Sequence, residues 1–466
     1  MAPPAHPEEA VSETAPTPST PRAASTTPGR VVALHPDGDA RGELATGELV
    51  RVPGGVPGDV GAFTITHRGK NATWARLAEV TTPSPDRVAA PCPVVAECGG
   101  CPWQMVAPAA QREARLAFLR EGLGDALAEA TVHPTVTSQA PGGYRTRALM
   151  VLRHVGGALR LGFYAPRTND LVPAEGCAVQ HPRLNAALAA ARDVLAKTDL
   201  ATWRSEDRPG HIRALAMKLD PTTGDGLLTL VVTRDDPRFD RLAPLLQAIP
   251  GVAGVHLCRN DAPAGPLLSG AARRLSGASR LTLHLGAVTV QVGPLAFVQT
   301  HHAVAAAMID AVLELAPAAV AHVADLYAGV GVFGLALRDR AGAVTLVEAS
   351  PDATRDARAN ASRLPGAAHV KVVEGDAAAL AAGVLRGGAD ELVVLDPPRA
   401  GCRPEVLAAV AAKRPGTLIY ASCSPRSLAR DAAALNEAGY VLRDLVPLEM
   451  FPHTPHLEVV AKLTLR

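Results

Sequence analysis

The sequence predicts an α/β protein with a C-terminal doubly wound parallel sheet, a small N-terminal β-barrel and a central α+β domain. Three observations predict this class. Strand-like and helix-like segments alternate over residues 286–466, which is typical of a doubly wound sheet. Short β-like runs separated by Gly, Pro and Asp occupy residues 29–85 and indicate a small barrel. Between them, residues 86–285 mix strand patterns with an alanine-rich helical segment near 183–197.

Residues 1–28 are rich in Pro, Ser, Thr and Ala without apolar periodicity, so we expect a disordered tail. The net charge is only +1, so a nucleic-acid-binding surface must be local. No apolar run approaches the roughly 20 residues that span a bilayer, and the N-terminus lacks the apolar core of a signal peptide. We therefore expect a cytoplasmic protein with no membrane partner, in which the seven cysteines serve metal binding or catalysis.

Cationic and aromatic side chains are mixed in the predicted barrel, as suits contacts with single-stranded RNA: Arg68, Lys70, Trp74 and Arg76. Residues 143–167 of the central domain add five arginines and no acid: Arg145, Arg147, Arg153, Arg160 and Arg167. Arg145 and Arg147 are two residues apart and would share one face of a strand, where they could hold the RNA backbone. A solvated strand edge is the alternative, and it is favoured for Arg160 and Arg167.

Three cysteines lie within ten residues, at Cys92, Cys98 and Cys101, and a fourth, Cys177, follows in a turn-like segment. Gly99 and Gly100 would let the chain wrap closely around a bound centre. Four thiolates suit zinc or an iron–sulfur cluster. Zinc sites usually pair two closely spaced cysteine knuckles, so three near cysteines plus a distant one favour [4Fe–4S], with zinc left open.

A strand, a glycine turn and a helix start follow one another over residues 323–334 and contain the pattern G-x-G-x-x-G. Glu348 ends the next strand, where its carboxylate could accept hydrogen bonds from ribose hydroxyls. This much fits NAD as well as S-adenosylmethionine, and tight strand–helix packing would also explain the glycines.

Acids at other strand ends favour S-adenosylmethionine. Asp325 lies in the first strand, before the glycines. Asp376 ends the third strand, where an adenine ring could be held, and Asp396 opens Asp396-Pro397-Pro398-Arg399 at the end of the fourth, where the reacting methyl group would lie. A solvated helix cap is the alternative for each acid taken singly.

A thiol follows the next strand, in Ser422-Cys423-Ser424-Pro425. Short apolar runs that end abruptly in polar residues and prolines are typical of buried parallel strands, which deliver functional groups at their carboxyl ends. A buried core cysteine is the alternative, but the flanking residues are too polar for an ordinary core position. The position predicts covalent catalysis by Cys423.

Together these motifs resemble those of the class I, TRAM-containing RNA uracil-5-methyltransferases, which make 5-methyluridine in bacterial rRNA and tRNA. The resemblance covers the chain from about residue 29. It implies a TRAM/OB-like barrel, a central iron–sulfur domain and a Rossmann-like methyltransferase domain. It also assigns [4Fe–4S] ligands (Cys92, Cys98, Cys101 and Cys177), cofactor-binding residues (Gln299, Tyr327, Glu348, Asp376 and Asp396), a nucleophile (Cys423) and a base (Glu458).

Three positions depart from that family's usual motifs. Val332 replaces an Asn in the glycine loop, Ser424 replaces the Asn after the nucleophile, and His301 replaces an Asn two residues after Gln299. These departures motivate one alternative, an RNA-binding homologue with an altered catalytic site. Retained Cys423 and Glu458 argue against it, because a binding module needs neither group. A second alternative, an NAD oxidoreductase, is disfavoured by the Asp-Pro-Pro-Arg motif.

The resemblance implies a monomeric enzyme that methylates uridine C5 in RNA with S-adenosylmethionine, with 23S rRNA favoured and tRNA as the alternative substrate. C5 of uracil is a poor nucleophile, and thiolate addition at C6 makes it carbanion-like. Cys423 would add, and Glu458 would remove the C5 proton so that the thiol can leave. We expect Arg399 or a helix N-terminus after Pro425 to favour the thiolate.

Overall fold

The computed structural model describes residues 25–138, 140–203, 210–262 and 265–466. The predicted disordered tail, residues 1–28, lies outside the described residues up to residue 24, and the first strand begins at Thr27. In the described part of the chain, no helix is long and apolar enough to cross a membrane. The expected cytoplasmic location and monomeric state stay predictions.

The predicted N-terminal barrel is confirmed. Its five strands close in the order β1-β2-β3-β5-β4. Their bounds are β1 Thr27–Leu34, β2 Ala40–Leu44, β3 Leu49–Val52, β4 Val60–Arg68 and β5 Thr73–Thr82. Phe63 and Ala75 are fully buried inside it, and Trp103 from the following segment packs against the same core. Asp59 is also fully buried and is satisfied, because it accepts hydrogen bonds from Val56 N and Ser84 N and pairs with Arg87.

The central region is built on a seven-stranded sheet with the order β13-β12-β11-β10-β7-β8-β9. Its strands are β7 Arg147–Val155, β8 Ala158–Tyr164, β9 Leu171–Pro173, β10 Ile212–Leu219, β11 Gly226–Val232, β12 Val252–Arg259 and β13 Ala272–Gly277. Helices α3 (Pro182–Ala196) and α4 (Pro237–Gln247) bury their apolar faces in its core. Every residue of β10 and β11 is buried, which explains why these strands are almost continuously apolar.

Of the three elements that precede this sheet, the last two contact the C-terminal part of the chain. The short helix α1 spans Val95–Cys98, α2 spans Pro108–Leu123 and the two-residue strand β6 spans Thr131–Val132. Strand β6 joins the edge of the C-terminal sheet, and Arg115 on α2 forms a buried ion pair with Glu449. Helix α2 ends at Leu123, and Gly124, which follows it, has a φ of 49°, a conformation that favours glycine.

The predicted doubly wound sheet is confirmed. A hairpin, β14 Leu281–Leu285 and β15 Val288–Val292, precedes α5 His302–Leu315. Eight strands follow the order β18-β17-β16-β19-β20-β22-β21-β6. The further bounds are β16 His322–Leu326, β17 Val344–Glu348, β18 Val370–Glu374, β19 Gly388–Leu395, β20 Pro415–Ser422, β21 Tyr440–Leu448 and β22 Glu458–Leu465. The helices are α6 Val332–Ala336, α7 Pro351–Arg363, α8 Ala377–Val384, α9 Pro404–Lys413 and α10 Pro425–Glu437.

Strands β16 to β20 are parallel, and the strand order reverses between β16 and β19. Ligands of open α/β sheets bind at the carboxyl ends beside such a reversal. The domain boundaries predicted from the sequence stay predictions. The boundary between residues 285 and 286 falls in the turn of the β14–β15 hairpin.

Candidate active site

A cavity of about 720 Å³ opens at the carboxyl ends of the parallel strands. All seven residues predicted for cofactor binding or catalysis line it: Gln299, Tyr327, Glu348, Asp376, Asp396, Cys423 and Glu458. The parallel register explains the convergence, because Leu326 pairs with both Val347 and Leu395, and Leu395 pairs with Tyr420. Strands that end level with one another place the residues that follow them around one opening.

The glycine turn after β16 has two different roles. A Cβ atom on Gly331 or Gly334 would lie 2.9 Å or 2.3 Å from a methyl carbon of Leu346, so these two glycines serve close packing of helix against strand. Gly329 is different, because its φ is 56° and a Cβ atom there would meet nothing within 4 Å. The packing alternative therefore accounts for two of the three glycines, and the first one faces open space.

Glu348 at the end of β17 is held by the backbone. Its Oε2 accepts a hydrogen bond from Gly329 N at 2.9 Å, and its Oε1 accepts one from Ser350 N at 2.6 Å. These contacts fix the carboxylate against the open glycine. Each carboxylate oxygen has a second lone pair, so Glu348 can still accept hydrogen bonds from a ligand.

Asp376 and Tyr327 lie at the rim of the cavity. Asp376 caps helix α8 by accepting a hydrogen bond from Ala378 N at 2.9 Å and is exposed, so the helix-cap alternative holds together with its place on the cavity wall. Tyr327 has a φ of 71°, which is rare for a residue other than glycine, and its hydroxyl accepts a hydrogen bond from Arg403 N.

Two further acids, Asp325 and Asp396, lack cationic partners. Asp325 is fully buried: its Oδ2 accepts a hydrogen bond from Gly334 N at 2.9 Å, and its Oδ1 has no partner. Burial raises the pKa of each carboxyl to about 7. No Lys, Arg or His forms an ion pair with Asp325, Asp396, Glu348 or Glu458 among the residues that the structure describes. A ligand that carries positive charge would relieve this concentration of carboxyls.

Cys423, which follows β20, lies opposite Glu458 on the neighbouring strand β22. Ser422 on β20 pairs with Val459 on β22, so the next antiparallel pair in this register is Cys423 with Glu458. Glu458 is buried, and burial followed by the nearby charge of Asp396 raises its pKa to about 8. The two side chains that the resemblance assigns to catalysis therefore share one wall of the cavity.

The expectation that the surroundings favour the Cys423 thiolate is wrong for the protein without ligands. Burial, with the charges of Glu458 and Asp396 behind it, raises the pKa of Cys423 to about 11, and Arg399 opposes this only in part. Arg399 itself is exposed and lies 3.3 Å from His456 Nδ1. The acids outweigh the arginine because they lie on the same buried wall as the thiol.

The three departures from the family motifs have local structural roles. His301 caps α5, because its Nδ1 accepts a hydrogen bond from Val304 N, and its ring stacks on Tyr144 at 4.8 Å. Ser424 caps α10 by accepting a hydrogen bond from Ser427 N. Val332 begins α6 and lines the cavity.

The four cysteines predicted to bind a cluster line a second cavity of about 90 Å³. A Cβ atom on Gly100 would lie 3.4 Å from Cys98 Sγ, so the chain passes close to the thiol there. Burial and the neighbouring thiols raise the pKa of Cys101 to about 11, against the opposing charge of Arg145. Across the described residues, no group of three or more His, Cys, Asp or Glu side chains is arranged to hold a metal ion. The structure brings the four cysteines together without showing a metal site.

Arg145 and Arg147, the two arginines expected to share a strand face, are both half-buried and alternate with the buried Tyr144, Thr146 and Ala148, as such a face requires. Arg145 precedes β7, which begins at Arg147, and its guanidinium stacks on Tyr144 near the cysteine cavity. Arg153 lies over Tyr164 and Trp203, and Arg160 pairs with Glu175. Arg167 alone reaches the barrel, where its guanidinium lies 5.8 Å from the Trp74 ring.

Sequence reasoning missed Thr146, Lys218, His302 and Arg403 on the cavity wall. The signal for Lys218 is present in the sequence, because a single lysine interrupts the apolar run of β10. Because a lysine in a strand is usually solvated, this signal alone does not predict a buried residue on the cavity wall.

Comparisons with known proteins bear on the family of the chain. The family described as tRNA (Uracil-5-)-methyltransferase matches residues 378–465. An RNA methyltransferase of Gloeobacter violaceus is 32% identical over 441 residues, covering 93% of this chain and 95% of the relative. One from Thermosynechococcus vestitus is 32% identical and covers 89% of this chain and 93% of the relative.

A solved structure has the same fold over nearly the whole chain. It is the Pyrococcus abyssi tRNA (uracil-54, C5)-methyltransferase in complex with S-adenosyl-L-homocysteine, which is 24% identical. The TM-score is 0.75, and the match covers 94% of this chain and 100% of the other. The two relatives that are 32% identical over nearly the full length of both chains lead to one conclusion. The chain is an enzyme of the RNA methyltransferase family, and its residues 378–465 match the tRNA (Uracil-5-)-methyltransferase model.

Proposed function

We propose that the enzyme methylates C5 of a uridine in RNA through a covalent bond between Cys423 and C6 of the base. The observation that carries the proposal is the placement of Cys423 opposite Glu458, on the wall of the cavity that the cofactor residues line. The target base must leave its stack to reach a thiol at the end of a buried strand, so we expect a flipped nucleotide.

In the proposed cofactor orientation, Glu348 accepts hydrogen bonds from the ribose and Asp376 lies at the adenine. Gln299 and the open space at Gly329 would hold the methionine half, and Asp396 would face the sulfonium. The residues fit such a ligand, because Gly329 leaves open space beside the Glu348 carboxylate, which lies on the cavity wall. When bound, S-adenosylmethionine supplies the methyl group.

The protein groups have distinct tasks in this proposal. Cys423 loses its thiol proton to a carboxylate and its sulfur forms a bond to C6, which places the electron pair on the uracil enolate. C5 would use that pair to form its bond to the methyl carbon, while the carbon–sulfur bond of the sulfonium breaks and leaves its electrons on a neutral thioether. Glu458, as carboxylate, then removes the proton from C5, and the electrons left behind expel the Cys423 sulfur and restore the ring. Asp396 and Glu458 have raised pKa values, so each can hold a proton near neutral pH.

We propose that the RNA outside the active site contacts a surface made by the barrel and the central domain, which we call the Trp74 surface: Lys70, Trp74, Arg76 and Arg167. Lys70, Arg76 and Arg167 are exposed, and the tryptophan ring can stack on a base. Arg68 contributes less, because it forms an ion pair with Glu48. Arg145 is half-buried and its charge acts on Cys101, so it contributes less to the Trp74 surface than the exposed cations do.

The RNA class has two candidates, rRNA and tRNA. The resemblance of the whole motif set favours 23S rRNA, whereas the matched family and the Pyrococcus abyssi enzyme carry tRNA in their names. Mapping 5-methyluridine in separated rRNA and tRNA from a deletion strain distinguishes them. Loss of a site in rRNA supports the first candidate, and loss at a tRNA uridine supports the second.

We propose that Cys92, Cys98, Cys101 and Cys177 hold a [4Fe–4S] cluster. The shared cavity and the close passage of Gly100 by Cys98 Sγ support a bound centre there. Protein purified without oxygen should contain about four iron atoms per chain and absorb broadly in the visible region. Stoichiometric zinc without visible absorbance would contradict the cluster, and Cys177→Ala should lose the iron.

The assignment of Cys423 and Glu458 is tested by their different failures. Cys423→Ala should bind RNA and cofactor but form no covalent species. Glu458→Gln should add to the base and transfer the methyl group, then stall, so that a methylated protein–RNA adduct survives denaturing electrophoresis. Complete absence of the adduct with Glu458→Gln, or its presence with Cys423→Ala, would overturn the roles.

A further inference from the structure

Lys218 is a buried cation on the wall of the cofactor cavity. It lies on β10, is 3% exposed, and its Nζ donates hydrogen bonds to Gly293 O at 2.7 Å and to Ala296 O. No carboxylate in the described residues pairs with it. An ammonium group has three N–H donors, so these two carbonyls leave one donor for another acceptor. An isolated buried charge is costly, which indicates that a partner is missing.

The other cations of the cavity wall lie elsewhere. Arg399 neighbours His456 at the end that holds Cys423 and Glu458. Arg403 lies at the rim, where its backbone N–H donates to Tyr327 and its side chain pairs with Glu405. Lys218 lies on another part of the wall, where its ammonium group contacts Ala296 O, three residues before Gln299 in the chain.

The charges of the cofactor match this arrangement. S-adenosylmethionine carries a sulfonium and an ammonium group, which suit the unpaired carboxyls, and one carboxylate, which those carboxyls would repel. We propose that Lys218 binds the carboxylate of the methionine half of the cofactor. This inference rests on the cofactor orientation under Proposed function, in which the methionine half points towards Gln299.

An RNA phosphate is a poorer candidate for the same lysine. Lys218 pairs with Arg147 on the neighbouring strand β7, and the guanidinium of Arg147 lies over the ring of the exposed Phe297. The arginine and the phenylalanine therefore form the outer layer, and Lys218 lies beneath it. A polymer backbone would have to displace both residues, whereas a cofactor already inside the cavity would not.

The protonation state of Lys218 makes the proposed binding of the cofactor carboxylate depend on pH. Burial, followed by the charge of Arg147, lowers the pKa of Lys218 to about 7, and Asp356 raises it slightly. His256 is the other titratable group near the ammonium, and its own pKa is lowered to about 4, so it stays neutral. The ammonium is present below pH 7 and is lost as pH rises, unless a bound carboxylate raises the pKa. Binding should therefore be measured at pH 6.5.

The test compares S-adenosylhomocysteine with its carboxamide, which lacks only the negative charge, by calorimetry with the full-length enzyme. The wild type should prefer the acid by roughly tenfold or more, as for a charge-assisted hydrogen bond. Lys218→Met should bring this preference to within about twofold. Lys371→Met, an exposed lysine on β18, is the matched control and should keep it.

Folding and positioning effects are separated from loss of the charge. Lys218→Gln keeps a donor for the carbonyls without the charge, and it carries the same expectation if Lys218→Met does not fold. 5′-Methylthioadenosine lacks the whole amino-acid half and should bind the folded variants as it binds the wild type. The proposal is overturned if the acid–amide preference survives in the variants, if both ligands weaken equally, or if only RNA binding changes. The proposed base-methylation roles are unaffected by such a result, because they rest on Cys423 and Glu458.

Discussion

Glu458 is the residue at which the protein's electrostatics bear most directly on the chemistry. A carboxyl that is buried beside Asp396 is protonated at neutral pH in the free enzyme, and only its ionised form can accept the C5 proton. Cys423 likewise begins as a thiol. Cys423 and Glu458 are therefore both protonated in the free enzyme, although the reaction needs both in their ionised forms. Binding of a cationic cofactor would favour these ionised forms.

This arrangement predicts that single-turnover methylation rises with pH. Because the pKa values of Asp396 and Glu458 are raised to about 7 and about 8, the fraction of carboxylate grows between pH 6 and pH 8.5, and the rate should grow with it. Rapid-quench assays with RNA and cofactor below saturation measure this, because rates under these conditions report the pKa values of the free enzyme. A rate that stays flat or falls over this range would contradict the assignment. The same raised pKa values predict that the ligand-free enzyme loses stability as pH rises through this range, because the folded state holds more protons than the unfolded state.

Glu348 is predicted to contribute directly to cofactor affinity. Glu348→Gln should weaken S-adenosylhomocysteine binding by about 1.5–3 kcal/mol, the usual contribution of a hydrogen bond to a charged group. Glu374 is the matched control, since it pairs with Glu348 in the sheet register but lies outside the cavity wall. Calorimetry should show unchanged affinity for Glu374→Gln. Equal affinities for both variants would remove Glu348 from the cofactor site.

At the scale of elements, the connection from β15 to α5 ties the glycine turn to the central sheet. Asn360 on α7 donates hydrogen bonds to Gln291 O and Val330 O, and it accepts one from Gln291 N. Lys218 donates hydrogen bonds to Gly293 O and Ala296 O, which lie in the connection from β15 to α5. Gln299 therefore stands at the end of a segment that is fixed at both flanks.

Loss of the Asn360 contacts should affect stability and cofactor binding together. Asn360→Leu leaves buried backbone groups without partners and should lower the free energy of unfolding by about 1–3 kcal/mol. It should also weaken S-adenosylhomocysteine binding, because Val330 lies in the glycine turn. Urea denaturation and calorimetry measure the two effects. Ser362→Ala, an exposed change on the same helix, should alter neither. A variant that loses stability but binds normally would separate the connection from the cofactor site.

The helices and strands differ in how well they can be predicted from the sequence. The doubly wound sheet and the barrel could be predicted because their strands and turns are local patterns. The pairing of β6 with β21 could not, since a two-residue strand has no periodicity and its partner lies far along the chain. In the site, acids and the thiol at strand ends were recognisable from short motifs. The roles of Lys218 and Arg145 depend on which segments meet in space, which a single sequence does not encode locally.

At the scale of the whole molecule, α2 connects the barrel side of the chain to the catalytic loop. Arg115 donates to Glu449 and to Thr454 O, and Gln111 Oε1 accepts a hydrogen bond from His453 N. The loop that contains these partners leads directly into Glu458 at the start of β22. The position of the proposed base therefore depends on a helix from the other end of the chain.

Breaking this contact should therefore reduce both stability and turnover. Arg115→Met leaves Glu449 buried without its partner, which typically costs about 3–5 kcal/mol. Arg115→Met combined with Glu449→Met should lose less than the two single variants added together, because no buried charge remains. The matched control is the exposed pair of Arg443 and Glu129, whose removal should cost at most about 1 kcal/mol. Chemical denaturation measures these energies, and single-turnover rates should fall for Arg115→Met while cofactor affinity holds. Additive losses in the double variant, or an unchanged rate, would mean that α2 does not position Glu458.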